Sequence, residues 1–115
     1  MARSPQDVFA HHAQALGAED VDAIVSDYAE DAVVLTSKGV TRGSAEIRQW
    51  FAGLLAEVPQ AAWDLKTTLF EGDVLYLEWA ATGDGYRVDD GVDTFIFDDG
   101  LIRLQTVHYT LQSGG

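Results

Sequence analysis

The chain has 115 residues, 47% of them aliphatic or aromatic, and carries 7 Lys and Arg against 19 Asp and Glu, a net charge of −12. That apolar content excludes a disordered acidic tail and predicts one domain over residues 1–115. The charge, without a Lys/Arg patch, argues against nucleic acid as a partner, no apolar run approaches the ~20 residues of a membrane span, and the absence of cysteine excludes disulfides and thiolate sites.

In chain order, Ser4-Pro5 reads as a helix N-cap followed by proline in the first helical position, where its missing N–H costs nothing. Val8, Phe9, His12, Ala13 and Leu16 share one face of that helix, and Gly17 stops it. Asp20 caps a short second helix whose Val21, Ile24, Val25 and Tyr28 recur at i, i+3, i+4, i+7. The β-branched run Ala32–Thr36 reads as a strand. After a turn at 37–39 and a bend at Gly43, Ser44 is expected to cap a third helix with the stripe Ile47, Trp50, Phe51, Leu54, Leu55, Val58, ended by Pro59.

From Ala62 the hydrophobic period changes from 3.6 to 2. Strands are expected at about 62–70, 73–83, 91–98 and 101–112, separated by Glu71-Gly72-Asp73, a Gly/Asp-rich segment at 83–91, and Asp98-Asp99-Gly100. The short Gly/Asp connections are hairpin chemistry, so the sheet is antiparallel at least there. Helix, helix, strand, helix, then four strands is an α+β order, with a twisted sheet that curls around the third helix and leaves a mouth at one end. Asp84, Asp89 and Asp90 match no calcium-loop spacing and are expected as a solvated acidic loop at that mouth.

Four strings carry a family resemblance: Ala15–Asp22 (ALGAEDVD), Asp27–Ala32 (DYAEDA), Arg42–Arg48 (RGSAEIR), and Gly91–Phe97 (GVDTFIF) followed by Asp99–Ile102 (DGLI). In this order they resemble the superfamily of nuclear transport factor 2, SnoaL-like polyketide cyclases and ketosteroid isomerases. The resemblance implies a cystatin-like fold, a cone-shaped curved antiparallel sheet wrapped around three helices. It also implies an apolar cavity and a homodimer formed through the outer sheet face. Ketosteroid isomerases combine a carboxylate base with an oxyanion hole of a tyrosine and a protonated aspartic acid. By resemblance Asp93 stands at the position of that aspartic acid, His12 at that of the tyrosine, Phe51 at that of a supporting tyrosine and Thr36 at that of the base. A threonine does not abstract a carbon-bound proton at neutral pH, which argues against orthodox steroid isomerisation.

Among the residues themselves, Asp93 alternates with Phe95 and Phe97 and so shares the inward face, where desolvation raises its pKa. His12 lies on the Phe9–Leu16 face, and Asp93 and His12 are the candidate acid–base pair, with the carboxylate orienting one ring nitrogen. His11 points elsewhere and is expected in solvent. Tyr28 offers a hydroxyl to the cavity, and Trp79, with Leu75 and Leu77 on its face, is expected to line it. Strict alternation puts Ile102, Leu104, Thr106 and His108 on one face of the last strand and Arg103, Gln105, Val107 and Tyr109 on the other; one bulge exchanges them and decides whether His108 is inside.

The expected function is acid–base chemistry (isomerisation, dehydration or cyclisation) on a small apolar molecule bearing a carbonyl or hydroxyl, with simple ligand binding or a dimeric scaffold as alternatives. No metal site and no organic cofactor are implied, since ligand clusters and phosphate loops are missing from the sequence. Lack of cysteine and of a signal peptide fits the cytoplasm.

Overall fold

A computed structural model describes residues 3–114. Helix α1 (Pro5–Gly17) and the single-turn α2 (Val21–Val25) are followed by strands β1 (Tyr28–Thr36) and β2 (Gly39–Arg42) and helix α3 (Ser44–Glu57). Strands β3 (Ala62–Glu71), β4 (Val74–Gly83), β5 (Tyr86–Asp98), β6 (Leu101–His108) and the short β7 (Gln112–Ser113) complete the order. The sheet runs β2-β1-β6-β5-β4-β3, with β7 on β5. It is curved and unclosed, and it is mixed: β1 pairs parallel with β6, while the other pairings among the described residues are antiparallel. The helices cover the inner face, where Val8, Ile24, Ile47, Phe51, Leu75, Phe95 and Ile102 form the core. No helix among the described residues is long and apolar enough to cross a membrane.

Local chemistry explains the elements and the departures from sequence expectation. Ser4 accepts a hydrogen bond from the Asp7 amide and Asp20 from the Ala23 amide, so both predicted caps form. Ser44 does not cap α3: Gly43 is the N-cap at φ 86°, and the Glu46 carboxylate instead reaches back to accept from the Arg42 amide. Tyr28 is not in the second helix. That helix ends at Val25, the Ser26 hydroxyl turns back onto the Ala23 carbonyl, and β1 starts at Tyr28, four residues before the expected strand. Residues 83–91 are not an acidic loop either. Asp84-Gly85, with Gly85 at φ 83°, makes a two-residue turn between Gly83 and Tyr86, and Asp89 and Asp90 lie within β5.

Two irregularities on the inner face set the geometry that matters. The β4–β5 register shifts between Trp79 and Ala81, leaving Trp79 directly opposite Gly91. A Cβ at Gly91 would sit 2.2 Å from the indole, so only glycine lets Trp79 lie flat against β5. The β5–β6 register shifts where Phe97 pairs with Ile102 and Ile96 with Leu104. Ile102 is therefore buried, and beyond the bulge Gln105 and Val107 are buried too, while His108 is exposed.

Candidate active site

The inner face of β4, β5 and β6 and the facing sides of α1 and α3 enclose a cavity of about 340 Å³. That volume is at the low end for small-molecule sites. Its wall is mostly aromatic and aliphatic, with Phe9, Phe51, Trp63, Trp79 and Phe95 prominent, and it includes the exposed Leu65. Among the described residues, three on the wall titrate, namely His12, Asp93 and Tyr109, and no Lys or Arg reaches it. An anionic ligand would find no countercharge there.

Asp93 projects from the middle of β5 and is 6% exposed. Its Oδ1 accepts a 2.9 Å hydrogen bond from Trp79 Nε1, and its Oδ2 accepts one of 2.9 Å from Gln105 Nε2. Burial pushes its pKa up to about 6, against the pull of these two donors toward the ionised form. Gln105 is buried in turn, and its Oε1 accepts from the Tyr28 hydroxyl. The result is a chain of hydrogen bonds from β1 through β6 to β5.

His12 is 1% exposed and is ringed by Phe9, Tyr28, Phe51 and Phe95, with centroids 5.5–6.4 Å away. Burial pulls its pKa down to about 4, so it is a neutral imidazole at pH 7. Its Nδ1 is sealed and has no hydrogen-bond partner among the described residues.

The structure brings Asp93, His12, Phe51, Trp79 and Phe95 to one cavity wall and sets the other predicted residues apart. Asp93 does not orient His12; its two oxygens are held by Trp79 and Gln105 instead. Tyr28 lies behind the wall and touches the site through Gln105, because β1 places its ring in the core against Phe51. Thr36 and His108 line a neighbouring groove with Lys38, Gln49 and Glu57, which shares Trp50, Leu54, Val107 and Tyr109 with the cavity. Thr36 falls there because it ends β1 at the hairpin, and His108 because the bulge in β6 lies upstream of it. His11 is only half exposed, and its Nδ1 hydrogen-bonds to the buried Asp27 at 2.7 and 2.8 Å.

Gln105 is the functional candidate that sequence reasoning missed. The available signal was a lone amide alternating with Val107 and Tyr109, which carries no mark of its partners. Tyr109 was missed likewise; its ring packs 5.6 Å from Trp79 and its hydroxyl donates to Glu57 at 3.0 Å, across the cavity wall from α3 to the end of β6.

Comparison with solved structures returns the same architecture. A nuclear transport factor 2-like protein of unknown function from Cytophaga hutchinsonii superposes with a TM-score of 0.78 at 14% identity, covering 96% of this chain and 93% of the other. The proposed hydroxylase AclR from Streptomyces galilaeus gives 0.77 at 17%, over 92% and 74%. A proposed polyketide cyclase from Sinorhizobium meliloti gives 0.73 at 20%, over 89% and 94%. No curated protein sequence matches the chain. The family model for the SnoaL-like domain matches residues 9–105, from the cavity face of α1 to Gln105, and the chain therefore belongs to the SnoaL-like family.

Proposed function

We propose that the protein binds a small, neutral, largely apolar molecule bearing a hydroxyl or carbonyl group and moves a proton on it, as an isomerase, dehydratase or cyclase does. The observation that carries this reading is a carboxylate and a neutral imidazole on the wall of one largely apolar cavity. With a pKa near 6, Asp93 is mostly ionised at pH 7 yet takes up a proton readily, which suits a general base. A proton leaving a carbon next to a carbonyl passes to Asp93, the electron pair moves onto the carbonyl oxygen, and the neutral His12 ring is the group available to hydrogen-bond that oxygen. Return of the proton at another carbon completes an isomerisation. The descriptions of two structural neighbours, a proposed hydroxylase and a proposed polyketide cyclase, support small-molecule chemistry in this fold.

A thermal-shift screen of neutral ketones and alcohols tests the reading. Ligand at one hundred times its dissociation constant adds about 2.7 kcal/mol of stability. A compound that stabilises the wild type, is turned over, and is no longer turned over by Asp93→Leu is the expected result. Binding without turnover reduces the protein to a ligand carrier, and a screen without any stabilising compound sinks both.

The same proposal includes pairing of two copies through the outer sheet face. Across the strands, Leu69, Tyr76, Thr94, Thr106, Leu35 and Val40 fall in one row, and Val74, Ile96, Leu104 and Val33 in the next. Val40 and Leu69 are about 60% exposed, an apolar surface of the kind that marks an interface. Sedimentation should report a dimer that Tyr76→Glu with Leu69→Lys converts to a monomer; a monomeric wild type ends this part.

A further inference from the structure

Three groups in the buried chain have fixed or fixable polarity. Trp79 Nε1–H only donates, so Asp93 Oδ1 must accept. Gln105 has a donor end and an acceptor end, and which end meets Asp93 depends on what holds the other. The Tyr28 hydroxyl donates to Oε1, which leaves the amide nitrogen pointing at Asp93 Oδ2. Reversing the amide would set a carbonyl against a carboxylate and is compatible only with a protonated Asp93. Tyr28 comes from β1, Gln105 from β6 and Asp93 from β5, all inside the core, so the orientation is set by the register of three strands and not by solvent.

We propose that Tyr28 and Gln105 are positioning residues that fix Asp93 as a hydrogen-bond acceptor, so that the cavity takes compounds whose hydroxyl donates to Asp93 in preference to plain ketones or ethers. The substrate half of this statement rests on the cavity reading above; the positioning half does not. With both oxygens already facing N–H donors, a ligand atom arriving at Asp93 finds acceptor lone pairs only. A hydroxyl hydrogen satisfies one of them, whereas an ether or carbonyl oxygen placed there would face like charge across a low-dielectric gap. This polarity is opposite to that implied by the resemblance to ketosteroid isomerases, in which the aspartic acid at this position is protonated and donates. The two N–H donors in this chain account for the reversal.

The positioning half is tested without any ligand, by following the Asp93 carboxyl carbon by NMR as pH is varied. Tyr28→Phe keeps the ring against His12 and Phe51 and removes only the hydroxyl; Gln105→Met keeps the length and removes both polar ends. In each variant the Asp93 midpoint should rise by about one pH unit as the ionised form loses an organised donor. A midpoint in Tyr28→Phe equal to that of the wild type overturns the proposal.

The substrate half is read with 2-naphthol and 2-methoxynaphthalene, which differ by a methyl group on the hydroxyl. The wild type should bind the naphthol about tenfold more tightly. Asp93→Leu should erase the difference. Equal affinities in the wild type overturn the substrate half. Binding of neither compound removes the cavity reading and the substrate half with it, while the titration still decides the positioning half.

Discussion

Among the described residues two carboxylates are buried, and they are held in opposite ways. Asp27, at the junction of α1, β1 and the β5–β6 turn, faces Arg3 Nη1 at 3.0 Å and His11 Nδ1 at 2.7 Å, and its backbone carbonyl accepts from Ile102. Arg3 also reaches the Gly100 carbonyl, so the cluster pins the first helix to the last hairpin. Asp93, at the cavity, is held only by neutral donors, an indole and an amide. A carboxylate facing a guanidinium is paired charge to charge and held in place, which suits a structural pin. One facing neutral dipoles is fixed in place but free to gain a proton, which suits chemistry.

The largest effect that would break this contrast is expected at the pin. Removing both partners, Arg3→Ala with His11→Ala, leaves the buried Asp27 carboxyl without its side-chain donors, and losses of about 3–5 kcal/mol are typical of breaking a buried pair from one side. The two side chains are 40% and 44% exposed, so water reaches the vacated space and the loss should fall near the lower bound. Urea unfolding measures it. A loss within experimental error would mean that Asp27 needs no counterion, and the distinction from Asp93 would collapse.

A smaller, signed effect sharpens the other half. The folded-state pKa of Asp93 is raised from 3.8 to about 6, so the folded protein binds the proton first and Asp93 adds stability as pH falls from 6 toward 4. That of His12 is lowered from 6.5 to about 4, so the unfolded chain binds the proton first and His12 removes stability over nearly the same window. Each amounts to roughly 3 kcal/mol, with opposite signs, and in the wild type they nearly cancel. His12→Phe should therefore gain stability relative to wild type on acidification, and Asp93→Leu should lose it. Parallel pH profiles for all three proteins would show that neither group is perturbed by folding. At the small end, Arg87→Ala removes an exposed pair with Asp89, and a change above about 0.5 kcal/mol in the same melts would be a surprise.

Much of this architecture was legible in the sequence because burial leaves a period. The stripes of α1 and α3 and the alternation of β4 and β5 place His12, Phe51, Trp79, Asp93 and Phe95 on the inner side by counting alone. What counting cannot supply is a change of phase. Tyr28 continues the i, i+3, i+4, i+7 series of α2, yet it belongs to β1, since the helix closes on itself at Ser26. The bulge in β6 settles at one stroke that Gln105 is inside and His108 outside, and it leaves no residue signature. Partner choice is hidden as well. Asp93 and His12 face the same cavity, but Trp79 and Gln105 reach the carboxylate from neighbouring strands, and strand register is a property of the folded sheet.

The parallel pairing of β1 with β6 has a consequence for how the molecule comes into being. β1 lies against β6, with Leu35 beside Thr106 about 70 residues further along, whereas the β3–β4, β4–β5 and β5–β6 pairs close through tight turns. Hairpins close on the microsecond scale, while contacts between distant segments carry the loop-closure cost that slows a whole domain. Tyr28 meets Gln105 only across that late seam. The three hairpin-linked strands can bring Trp79, Gln105 and Asp93 together early in folding, but the bond that orients the Gln105 amide has to wait for the two halves of the sheet to meet.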